Sequence, residues 1–241
     1  MSQDRPAFYA LSPGGWREWW TLLHPPYTVW HLSYVALGAA TVAEVDLYRL
    51  GMTLLGFFLG VGLAAHALDE MRGRPLETSI PDRLLAGIAV VSLAGAGAVG
   101  IVGVVQVSGW LAAFIGVGTF LVVAYNLELF GGALHSDLWF ALAWGGFPGL
   151  TGAFAQTGRL TAPAVLVACG CVAISAAQRA LSTPVRRLRR RVATVEGTIT
   201  FRDGTREPLG ADAIRTAPEA ALKLLSVAMP VLAAALVLAR R

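Results

Sequence analysis

Seven runs of apolar residues divide the chain, at 26–43, 47–68, 84–107, 110–129, 138–154, 160–181 and 217–238. Each is near the length of about 20 mostly apolar residues that a helix needs to cross a hydrocarbon core. None alternates with a period of two, so the pattern predicts helices and not the strands of an outer-membrane barrel. The polar segments between them fall into two kinds. Those at 44–46, 108–109 and 155–159 are short turns, and those at 69–83, 130–137 and 183–216 are longer and richer in charge. In the last of these, VEGTITFRDGTREPL alternates apolar and polar residues on both sides of Asp203-Gly204, a dipeptide that favours a tight hairpin. The expected fold is all-α: a polytopic transmembrane helical bundle of about seven spans, with a small cytoplasmic β-hairpin between the sixth and seventh. Its parts are an interfacial N-terminal segment at 1–25, a six-span membrane domain at 26–182, a basic cytoplasmic loop with the hairpin at 183–216, and a C-terminal span at 217–241.

The N-terminal segment does not read as a signal peptide. Trp16, Trp19 and Trp20 interrupt it, and such residues favour the headgroup layer. Composition sharpens the class. Of 241 residues, 56% are apolar and only 14% charged, where a soluble domain is about a quarter charged. That excludes a disordered tail and most soluble enzymes, and two cysteines exclude a disulfide scaffold. Cys169 and Cys171 would point about 200° apart on one helix, so no mutual disulfide is expected and they read as small core residues. The net charge of +4 is too unevenly placed to suggest nucleic acid as a partner.

Basic residues set the expected sidedness. With the N-terminus inside, thirteen arginines fall on the inner side and four on the outer, which are Arg49, Arg159, Arg240 and Arg241. This positive-inside bias predicts a multi-pass protein of the inner or plasma membrane, its N-terminus cytoplasmic and its C-terminus outside. The run RRLRRR at 186–191 reads as a stop at the anionic inner leaflet.

Ionisable groups beside a membrane core are costly and so suggest function. Two clusters stand at the inner rim. In HALDEMRGRPL, from 66 to 76, His66, Asp69 and Glu70 are spaced i, i+3 and i+4, which places them on one helix face, and Arg72 and Arg74 follow. Carboxylates suit Mg²⁺, which bridges to substrate phosphates, and guanidinium groups suit the phosphate oxygens themselves. In AYNLELFGGALHSD, from 124 to 137, Tyr125, Asn126, Glu128, His135 and Asp137 gather at the end of the fourth span. The bland readings are a solvated helix end with an internal ion pair for the first cluster and ordinary helix caps for the second. His66, Asp69, Glu128, His135 and Asp137 pooled as a zinc or iron site is a further reading, although no HExxH motif supports it. His24 and His31 read as interfacial or core residues. Gly145, Gly146, Pro148 and Gly152 suggest either close helix packing or a kinked helix that lines a cavity.

At these residues the chain resembles the UbiA superfamily of intramembrane prenyltransferases. LHPPYTVWHLSYVALGAA at 23–40 resembles that family's first span, HALDEMRGRPL its first aspartate-rich motif, YNLELFGGALHSD its tyrosine-led segment, and the glycines of 145–152 its fifth span. The resemblance implies a UbiA-like arrangement of helices. It also implies transfer of an isoprenyl group from an isoprenyl diphosphate to a lipophilic acceptor, aromatic or lipid, in the membrane. Asp69 and Tyr125 would be catalytic. Arg72, Arg74, Asn126, Glu128 and His135 would bind substrate, and Asp69, Glu70 and His66 would hold one Mg²⁺. The chain shows seven spans against the family's nine. Residues 175–191, where the family has its second aspartate-rich motif, contain no acid. The alternatives are a non-catalytic lipid- or quinone-binding membrane protein that keeps the fold, and a small transporter. The one-sided polar groups and the lack of an inverted repeat argue against the transporter.

Overall fold

The computed structural model describes residues 5–241, so the first four residues of the N-terminal segment lie outside the described residues. The chain is mostly helical, with one two-stranded sheet. Helix α1 is Trp16–Leu22 and α2 is Pro25–Ala39. Helix α3 is Leu47–Met71, α4 is Asp82–Gln106 and α5 is Leu111–Asn126. Helix α6 covers 137–157, α7 is Ala162–Arg191 and α8 is Ala211–Leu238. Four of these are long and apolar enough to cross a membrane: α3, α4, α7 and α8. α5 is a shorter apolar helix. Large side chains on the outer faces stay exposed, among them Val91 and Val105 of α4, Leu166 of α7 and Leu224 and Val231 of α8. Such faces suit lipid rather than water. Trp16, Trp19 and Trp20 of α1 are likewise exposed.

Helix starts follow local chemistry. Asp46 and Thr161 cap α3 and α7 by accepting from the backbone N–H groups of Arg49 and Ala164, and prolines occupy the first turns of α2 and α7. Helix α2 is the central post and packs on α6 and α8. Its contact with α6 is close enough to need two glycines. A Cβ on Gly38 would strike the carbonyl of Gly149, and one on Gly152 would strike the carbonyl of Val35. A Cβ on Gly145 would sit 2.6 Å from the Cys171 carbonyl of α7. Gly145 and Gly152 therefore serve backbone approach, and the cavity is lined instead by bulky neighbours, Phe140 and Trp144. Both α3 and α6 widen into π-helical turns, at Phe58–Ala65 and Leu142–Gly146. Among the described residues four apolar clusters fill the interior, two of them larger than the others. One surrounds Val61, Leu85, Tyr125 and Trp144, and the other surrounds Trp30, Tyr34, Cys171 and Leu222. Cys171 is buried, Cys169 is exposed, and both are free.

The expected hairpin is present. β1 (Thr198–Thr200) pairs antiparallel with β2 (Arg206–Pro208), Ile199 opposite Glu207. At its tip Gly204 adopts φ +86°, and the Asp203 carboxylate accepts from the Thr205 N–H and hydroxyl at 2.9 and 2.7 Å. Those bonds hold the Asp203 carboxyl below the usual carboxylate range. The surrounding loop is shorter than the sequence suggests. Helix α7 runs through Pro184 to Arg191 and α8 begins at Ala211, so the basic run is helical and only 192–210 connect the two.

Candidate functional site

The ends of five helices meet around one cavity of about 450 Å³. The start of α2 supplies Tyr27 and His31, with His24 just before it. The end of α3 supplies His66 and Asp69, and Arg72 follows. The end of α5 supplies Tyr125 and Asn126, followed by Glu128 and His135. The start of α6 supplies Phe140 and Trp144. The last turns of α7 add Arg179, Thr183, Arg186, Arg187, Arg190 and Arg191. Two clusters that are 56 residues apart in the chain thus share one chamber, and Arg72 reaches Glu128 across it at 3.5 Å.

Asp69 faces this chamber and accepts no hydrogen bond from the described residues. Glu70, its neighbour, points the other way. It is fully buried, and its carboxylate accepts from the Leu76 N–H at 3.0 Å, the Thr78 N–H at 2.9 Å and the Thr78 hydroxyl at 2.8 Å. Arg74 is also committed to this loop, donating to the carbonyls of Thr78 and Ile80 and pairing with Asp82. Neither Glu70 nor Arg74 lines the chamber. Their work is to fold 72–81 into the turn that presents Arg72 and Pro75, with Gly73, Arg74 and Glu77 all at positive φ. Glu18 of α1 clamps the same turn through the Ser79 N–H and hydroxyl. Replacing Glu70 by Ala would strand two buried N–H groups and a hydroxyl, each worth about 1–3 kcal/mol. The expected result is a clear fall in thermal midpoint, whereas Asp69→Ala should leave that midpoint nearly unchanged. Equal midpoints for the two variants would contradict the loop role of Glu70.

Imidazole and phenol groups complete the walls. His66 donates from Nδ1 to the Gly62 carbonyl at 3.0 Å, which leaves Nε2 as its free acceptor, and its ring stacks on His24 at 4.2 Å. Burial, and then the His66 ring, hold His24 well below the ordinary imidazole range, so it is neutral at pH 7. Its Nε2 is buried with no protein partner. The Tyr125 ring stacks on His135 at 4.5 Å and meets Trp144 edge-on at 5.4 Å, and its hydroxyl is also buried without a protein partner. His135 donates from Nδ1 to the Tyr125 carbonyl at 3.1 Å. Asn126 spends one donor on the Val122 carbonyl. Asp137 stays outside the lining and pairs with Arg179 at 2.7 Å.

The sequence had given His24 and His31 ordinary packing roles and RRLRRR a role as a membrane stop. Both now appear in the chamber wall. A signal was present for the arginines. On a continued helix Arg179, Thr183, Arg186 and Arg190 fall within about 60° of one line, a stripe lost when the span is ended at 181.

Beyond the polar chamber lies an apolar groove of about 150 Å³ between α3, α4, α5 and α6, walled by side chains such as Met52, Leu93, Ile115 and Phe147. Val61 and Trp144 line both spaces. The comparisons add no relative. No family model, curated protein or solved structure matches the chain.

The donor set does not fit a resident Mg²⁺ site. Of the three ligands expected, Glu70 is consumed by its loop and His66 offers a nitrogen, where this ion prefers oxygen. Asp69 alone remains, facing six guanidinium groups in the chamber lining. Among the described residues no group of three or more His, Cys, Asp or Glu is placed to hold a metal.

Proposed function

We propose that this chain is a UbiA-like membrane transferase of seven spans that moves an isoprenyl group from its diphosphate to a lipophilic acceptor. One observation carries the reading: a strongly basic chamber abuts an oily groove, and Val61 and Trp144 belong to both. A ligand with a polyanionic head and a hydrocarbon tail matches that pair of environments, with its reacting carbon at the junction. The positive-inside count supports a chamber that opens to the cytoplasm.

The chemistry follows from the junction. The bond between the allylic carbon and the diphosphate oxygen breaks, and its electron pair leaves on the diphosphate. The rings of Tyr125, Phe140 and Trp144 line the place where the allylic cation forms, and aromatic faces attract positive charge. A nucleophilic atom of the acceptor then bonds to that carbon and loses a proton. Asp69, with both oxygens free of protein donors, receives it.

The test is direct. Purified protein in detergent, given geranyl, farnesyl or geranylgeranyl diphosphate and a membrane lipid extract as acceptor, is expected to release pyrophosphate with at least one donor. No release with any of them, with or without Mg²⁺, would refute transfer and leave lipid binding as the better account.

A further inference from the structure

The chamber is over-supplied with fixed positive charge. Six arginines line it against two carboxylates, Asp69 and Glu128. Two arginines are paired, Arg72 with Glu128 at 3.5 Å and Arg179 with Asp137 at 2.7 Å. Arg186, Arg187, Arg190 and Arg191 form no ion pair among the described residues. Arg186 and Arg190 are half-buried, which makes the omission costly.

Their few contacts orient them. Arg186 donates to the Thr183 hydroxyl at 3.3 Å, and Arg190 donates from Nε to the Pro6 carbonyl at 3.2 Å. Each guanidinium carries five N–H donors, so most of their capacity faces the chamber unused. His24 lines the same space, and its Nε2 is buried without a protein partner. A planar fork of this kind matches phosphate oxygens two at a time. A divalent cation entering the same space would meet this positive field with one free carboxylate to hold it.

Resting on the transferase reading above, we propose that Arg186 and Arg190, helped by Arg179, clamp the diphosphate directly, so that guanidinium groups do the work of a divalent ion. The head is held before the bond breaks, and the same donors meet the charge that grows on the departing oxygen. Substrate recognition by this chain then needs no metal.

Binding can be read without turnover. The probes are inorganic pyrophosphate and farnesyl thiodiphosphate, whose bond resists cleavage, titrated calorimetrically into the purified 241-residue protein. In excess EDTA the wild-type affinity is expected to stay within about threefold of that in Mg²⁺. The double variant Arg186→Gln/Arg190→Gln is expected to weaken binding about a hundredfold or more, at roughly tenfold per lost charge-assisted contact. Arg186→Lys keeps the charge and loses the fork. It should weaken binding about tenfold, and it serves if the double variant does not fold. Arg202→Gln, on the exposed hairpin, should change nothing. Tighter binding of the farnesyl compound than of pyrophosphate assigns a lipid-borne ligand, and equal binding assigns the head alone; both support the clamp. Affinity that collapses in EDTA, or that survives the arginine variants, overturns it while the transferase reading stands. No binding of either probe under any condition overturns both.

Discussion

Asp69→Asn is expected to lower pyrophosphate release about a hundredfold or more while diphosphate affinity stays within about threefold of wild type. The two readouts separate two roles for one carboxylate. If Asp69 bridged the diphosphate through a cation, its loss would weaken binding together with turnover. If it takes the acceptor's proton, binding survives, and removing a negative charge from beside the diphosphate should strengthen it slightly. Single-turnover release and calorimetric titration on the same preparation decide between them. Joint loss of both would end the proton-acceptor role. The structural basis is the contrast with its neighbour. Asp69 faces the chamber with no protein donor, whereas Glu70 is satisfied by three.

Gly152→Leu is expected to prevent assembly of a stable bundle. The added side chain would begin on the Val35 carbonyl, and that is backbone, which has no rotamer to give way. The only relief is to push α2 off α6, and α2 carries Tyr27 and His31 into the chamber with His24 at its start. Overpacking at a flexible contact costs about 1–3 kcal/mol, and a backbone contact should exceed that. Gly170→Leu, on the open face of α7 with nothing within 4 Å of a Cβ, should be well tolerated. Size-exclusion profiles and thermal midpoints of the two variants check the contrast. A monodisperse Gly152→Leu protein with a wild-type midpoint would mean that α2 and α6 do not approach so closely.

Much of this fold is legible in the sequence because the signals are local. Each of the seven apolar runs lies largely within helix, and the Asp203-Gly204 turn sits between paired strands as its alternation implies. Four helices meet the length and hydropathy needed to cross a membrane. The rim clusters were found because charge beside apolar runs is rare. What stayed hidden was direction. Asp69 and Glu70 are adjacent, and spacing alone cannot tell which carboxylate turns inward once a loop at 72–81 competes for one of them. The arginine stripe was hidden for another reason. A basic run after an apolar one looks the same whether it halts at a headgroup or continues as a helix, and α7 continues through Pro184 to Arg191. Histidines beside a span carry the same ambiguity, and tertiary placement alone brought His24 against His66.

The widened turn at Phe58–Ala65 has a genetic consequence. A π-helical stretch accommodates surplus residues without lengthening the rod, and it stands directly before His66 and Asp69. Losing the codon of Leu59 or Gly60 would therefore be absorbed as α3 winds regularly there, whereas losing one in the regular turn that follows, at Ala67 or Leu68, would swing Asp69 by about 100°. Asp69 would then leave the chamber, although neither Ala67 nor Leu68 lines it.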